Sequence, residues 1–84
     1  MTQPNNKPVS HIKSGKIVAD IWRNDNEQGT RFNVTFARIY RGKEDGQWKR
    51  TASFGRDDLL LVAKVADLAH SKINELLASL KDPQ

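Results

Sequence analysis

The chain contains no cysteine, which excludes a disulfide framework and a thiolate metal site and leaves the protein compatible with a reducing compartment. It also lacks a long apolar run. The longest, Leu59 to Ala63, lies inside a charged segment and falls far short of the ~20 residues that cross a bilayer as a helix. Met1 to Pro8 is built from Gln, Asn, Pro and Lys with no apolar stretch, so it is expected to be a disordered polar arm and not a secretory signal. A soluble, cytoplasmic protein with no membrane partner is the expectation. There are no repeats and no low-complexity tracts.

The residues of bond-making chemistry are equally scarce. His11 and His70 have no second His, Cys or carboxylate at metal-ligand spacing, so both are expected at the surface or at an edge, with no metal. Ser53 and Ser71 have no base at a fixed offset, and the glycines form no phosphate-cradling loop. Asp57 and Asp58 are adjacent, and neighbours on a helix diverge by about 100°, so they suit a helix start better than an acid–base pair. No catalytic residue, cofactor or small-molecule substrate is expected. The chain does not read as an enzyme.

What the chain does have is charge, unevenly placed. Positions 1–56 hold eleven Lys and Arg against five acids, whereas 57–84 hold three against five. A basic first part beside a slightly acidic final segment draws a polyanion to one side of the folded molecule. From Arg31 to Phe54 basic and aromatic residues interleave: Arg31, Phe32, Phe36, Arg38, Tyr40, Arg41, Lys43, Trp48, Lys49, Arg50 and Phe54. Bases stack on rings while neighbouring cations neutralise phosphates, so a sheet with both kinds of side chain can hold a single strand without reading its sequence. The competing reading is an ordinary sheet whose aromatics are core and whose cations are the solvated side.

Length limits the chain to one domain, expected over 9–81. Val9 to Lys13 reads as a short strand. Lys16 to Arg23 alternates Ile17, Ala19, Ile21 against Val18, Asp20, Trp22, and a polar loop spans Asn24 to Gly29. Thr30 to Tyr40 sets Phe32, Val34, Phe36 against Arg31, Asn33, Thr35, Ala37; beyond Ala37 the strand either overruns the core or bulges. A turn over Gly42 to Gly46 leads to a last strand, Gln47 to Phe54. After Gly55 the period becomes helical, with Leu59, Val62, Ala66, Ala69, Ile73, Leu76 and Leu80 as the core stripe and Asp57 and Asp58 in the first turn. The expected fold is α+β: a four-stranded antiparallel meander followed by one long helix. Leu61, Val65 and Leu68 form a second apolar stripe, which one sheet cannot also cover, so these three are expected to form a homodimer interface. The helix bears only Lys64, Lys72 and Lys81, dispersed among acids, and is expected to be structural.

This order of elements resembles the nucleic-acid-binding domain of positive cofactor four, a transcriptional coactivator, with its small bacterial and phage relatives and the Whirly proteins. The resemblance is carried by Gly15-Lys16, by Val34 to Tyr40 with Arg38 and Tyr40, by Asp45-Gly46 before Trp48-Lys49, and by Ser53-Phe54-Gly55 running into the helix. It spans roughly residues 9 to 80. It implies a homodimer that binds single-stranded or melted DNA on a curved sheet, in transcription, replication or recombination, with aromatics near Trp22 and Tyr40 and cations at Arg38, Lys49 and Arg50. The last strand is shorter here than in the coactivator, and the coactivator's long regulatory arm is absent.

The expected nucleic-acid contacts are therefore Trp22, Arg23, Arg31, Arg38, Tyr40, Arg41, Lys43, Lys49 and Arg50. Trp22 lies opposite the Ile17–Ile21 face, so it either stacks on a base or packs at an edge or dimer contact. Trp48 is expected in the core or an interface with Phe54. Of Lys49 and Arg50, which alternate, Lys49 is the better placed to bind. The other readings are a protein-interaction module that docks a partner on the apolar helix, and an RNA-binding variant of the same surface.

Overall fold

The computed structural model describes residues 7–81. The polar arm expected over 1–8 thus lies outside the described residues, apart from Lys7 and Pro8.

Strands β1 (Ser10–Ser14), β2 (Ile17–Asn26), β3 (Gly29–Arg41) and β4 (Trp48–Thr51) form one antiparallel sheet in the order β1-β2-β3-β4. A 3-10 turn, Arg56–Asp58, leads into helix α1, Leu59–Lys81. This is the α+β meander and helix that the sequence predicts. The first connection, Gly15-Lys16, joins the paired residues Ser14 and Ile17. The second is tighter than expected. β2 and β3 stay paired out to Asn26 and Gly29, so the loop expected over Asn24 to Gly29 shrinks to Glu27 and Gln28. Asn26 supplies the turn's side-chain acceptor, its Oδ1 lying 2.8 Å from the Gln28 N–H.

β4 is shorter than expected. It pairs only through Thr51, because the Thr51 hydroxyl accepts from the Ser53 N–H at 3.1 Å and turns the chain off the sheet. Phe54 then packs against the core. At the helix start Asp58 accepts the Gly55 N–H at 2.9 Å, while its own N–H donates to the Gly55 carbonyl. That satisfies donors left orphaned in the first turn.

The alternation of β2 sets the core. Ile17, Ala19 and Ile21 are buried and, with Val65 and Ala69 of α1, form its centre; each large side chain so buried contributes about 1.5–3 kcal/mol. Ile12, Val34, Phe36, Phe54, Leu61 and Val62 pack around Ile17, Ala19 and Val65. The expected core stripe is kept in part: Ala69 is buried and Val62 packs on the core, but the two ends of the stripe are exposed and part of the second stripe turns inward. Val65 is fully buried and Leu61 packs beside it, so neither is free for a dimer interface, while Leu59 and Leu80, expected in the core, are 55% and 44% exposed. Of the three expected interface residues only Leu68 is exposed. Leu61 settles against the β1–β2 turn, where a side chain on Gly15 would begin 3.2 Å from the Leu61 Cδ1.

Candidate nucleic-acid interface

Helix α1 packs mainly on β2 and β1, on the side of Ile17, Ala19 and Ile21. No described helix packs on the opposite side of the sheet, where Val18 and Asp20 are nevertheless only 2% and 5% exposed. Continuous pairing fixes its membership: His11 and Lys13 of β1; Val18, Asp20, Trp22 and Asn24 of β2; Arg31, Asn33, Thr35, Ala37, Ile39 and Arg41 of β3; Trp48 and Arg50 of β4. There is no bulge after Ala37, so the alternation carries through to Arg41.

The nine expected contact residues divide between two faces. Trp22, Arg31, Arg41 and Arg50 lie on the open face, whereas Arg23, Arg38, Tyr40 and Lys49 lie on the helix side and Lys43 sits in the β3–β4 turn. Lys49 is thus not the strand cation that accompanies Trp22; Arg50 is. On the helix side the cations are engaged. Arg38 holds the β4–α1 connection, its Nε lying 3.3 Å from both the Ser53 carbonyl and the Asp58 carboxylate, and its guanidinium lies 5.8 Å from the centre of the Tyr40 ring. Lys49 pairs with Asp45 at 3.6 Å. Its stem leaves so little room at Gly42 that a Cβ there would lie 2.9 Å from the Lys49 Cε. Arg23 pairs with Asp25 at 3.1 Å. The Thr30 hydroxyl, and then Arg23, hold the Asp25 carboxyl below its ordinary value of 3.8.

The open face is organised around aromatics and cations. The Trp22 indole N–H donates to the Thr35 hydroxyl at 2.9 Å, which fixes the ring plane on the sheet. Trp48 is 65% exposed and so does not belong to the core, the first of the two places expected for it. The Arg41 guanidinium lies 5.6 Å from the Trp48 ring centre while its Nε donates to the Gly46 carbonyl at 2.9 Å. The Arg31 and Lys13 side chains form no hydrogen bond or ion pair among the described residues. A shallow groove of about 240 Å³ runs between Trp22, Thr35, Asp20, Arg50 and Ala52.

Five residues were missed in the sequence as members of this surface: His11, Lys13, Asp20, Thr35 and Trp48. Asp20 is 5% exposed and is the only carboxylate on the face. It meets His11 at 2.6 Å and Arg50 at 3.1 Å. The parity that places Trp22 opposite Ile21 also places Asp20 there; what sequence alone does not reveal is that Arg50 reaches across β3 to it. No metal-binding group of side chains occurs among the described residues, and no described helix is long and apolar enough to cross a membrane.

No protein-family model, curated protein or solved structure matches this chain.

Proposed function

We propose that this protein binds single-stranded or melted DNA on the open face of its sheet, without sequence preference, as a homodimer. The observation that carries the reading is the charge of that face. Lys13, Arg31, Arg41 and Arg50, with His11, stand against the single carboxylate of Asp20, and two Trp rings lie among them. Rings give sequence-tolerant stacking and cations give phosphate neutralisation. The face is a flat, shallow surface and not an enclosed cavity, which suits a strand better than a small molecule.

The test is titration of labelled oligo(dT), duplex DNA and single-stranded RNA into the protein at fixed salt. Saturable binding with oligo(dT) tightest is the expected result. Binding of none of the three ends the reading, and a preference for RNA transfers the same surface to RNA.

Homodimerisation moves to different residues from those first expected. Leu59, Ala63, Ala66, His70, Ile73, Leu77 and Leu80 recur at alternating steps of four and three, the spacing of a helix–helix seam. Leu59, Leu77 and Leu80 are exposed. A second copy laid along this seam buries them, and it leaves the open face of each sheet free because the helix is on the other side.

A further inference from the structure

The cluster His11–Asp20–Arg50 spans the open face from one edge strand to the other. His11 is on β1, Asp20 on β2 and Arg50 on β4. The Asp20 carboxylate is buried and used on both oxygens, Oδ1 by His11 Nδ1 at 2.6 Å and Oδ2 by Arg50 Nη2 at 3.1 Å. Both partners remain accessible, with side chains 53% and 56% exposed. Because Nδ1 is engaged by Asp20, the ring's other nitrogen is the one left for an outside partner. A neutral His11 makes the cluster electrically neutral as a whole, one carboxylate against one guanidinium. A protonated His11 gives it a net positive charge and a second N–H donor beside the guanidinium. Histidine is the one cluster member that changes charge in the physiological range.

We propose that His11 is a phosphate-binding residue whose contact is coupled to a proton: a phosphodiester bound at this cluster takes up one proton from solvent onto the imidazole, held between the phosphate and Asp20. The inference rests on the nucleic-acid reading of the same face and names the group that makes its affinity pH-dependent. Among the described residues the charged groups shown beside His11 are Lys13 two residues along its own strand, Asp20 from β2 and, through Asp20, Arg50 from β4. β3 offers Thr35 opposite Asp20, which is uncharged. α1 lies on the other side of the sheet. Imidazole is the one side-chain type in this cluster whose ordinary titration range lies near neutral pH.

The experiment is binding of oligo(dT) at constant ionic strength between about pH 8 and about pH 5.5, paired with calorimetry in two buffers of different ionisation enthalpy. Wild-type affinity is expected to rise by about tenfold toward acid, with net proton uptake on binding. His11→Gln should flatten the pH profile and abolish the uptake, and His11→Lys should hold the acid-like affinity at every pH. An unchanged pH profile in folded His11→Gln overturns the proposal while leaving DNA binding intact. Failure of the wild type to bind at any pH overturns the nucleic-acid reading, and the proposal with it.

Discussion

Gly15 and Leu61 meet where the first turn of the sheet supports the first turns of the helix. Gly15 has φ of 61°, and a Cβ there would begin 3.2 Å from Leu61 Cδ1. An L-residue in the left-handed region costs roughly 1–2 kcal/mol, and Leu61 would also have to yield. Gly15→Ala should therefore destabilise the fold by about 1–2 kcal/mol in urea unfolding. Gly29→Ala, at φ of 127° with nothing within 4 Å, carries backbone strain alone. Coupling in a cycle between positions 15 and 61, absent between 29 and 61, is the signature of the contact; zero coupling at 15 would mean that Leu61 does not seat the helix.

The division of cations between faces predicts a division of salt dependence. Arg31→Ala and Arg41→Ala should each reduce the slope of log affinity against log salt by about 0.7, the value for one phosphate of a single strand. Lys49→Ala and Arg38→Ala should leave the slope unchanged, and Arg38→Ala should lower stability instead because it frees the β4–α1 connection. A flattened slope in Lys49→Ala would place the strand on the helix side.

Trp22 and Trp48 are separable by fluorescence. In a Trp48→Phe background, binding should quench Trp22, and Trp22→Ala should cost about 1–3 kcal/mol of affinity with the salt slope intact. Thr35→Val removes the hydrogen bond that fixes the ring and should weaken quenching more than it weakens folding. An unquenched Trp22 in a protein that still binds would assign the ring to packing.

The exposed helix seam predicts the oligomer. Leu59→Asp with Leu77→Asp should give a folded monomer in sedimentation, since both side chains are accessible, whereas Val65→Asp should unfold the chain by burying an unpaired charge in its core. A wild-type mass of one subunit at micromolar concentration would remove the dimer.

At the tip of the long hairpin the depressed Asp25 carboxyl gives a signed pH effect. Its favourable interactions are fully present above the ordinary value of 3.8 and are lost as pH falls through the lower folded value. Asp25→Asn should remove that acid dependence, read by chemical shifts of Thr30 and Arg23. A titration at the ordinary value in the folded protein would contradict the cluster.

Period alone made the four strands and the helix legible, because alternation in Ile17–Trp22 and Phe32–Ala37 and the later three-and-four spacing are properties of the chain itself. The exact centre of the buried side of the helix was not: Val62 and Ala69 pack inward as the period predicts, but Leu61 and Val65 join them while Leu59 and Leu80 stay exposed. Leu59, Val62, Ala66 and Leu61, Val65, Leu68 are adjacent stripes of similar hydrophobicity, and the line between them depends on how Phe54 and the Gly55–Asp58 turn aim the helix at Gly15. The candidate site was half legible for a related reason. Trp22 was placed correctly by parity, but Arg38, Tyr40 and Lys49 were grouped with it by composition, although parity puts them on the other face. The Asp20–Arg50 pair joins residues 30 positions apart, a distance that no local pattern encodes.

The register also has a kinetic consequence. β1 pairs with β2 only as far as Ile21 through Ser10, and β4 pairs with β3 only from Arg38 onward. Beyond those points the β2–β3 hairpin is a two-stranded ribbon with both edges bare. Backbone amides of Ile17 to Ile21 sit inside a three-stranded lattice under the helix, whereas those from Arg23 to Thr30 are guarded by one neighbour alone. Deuterium should therefore enter the sheet from the hairpin tip, giving a protection gradient along β2, and the open face should be stiff at Asp20 and pliant at Arg31, able to bend toward a strand at one end while the other holds its shape.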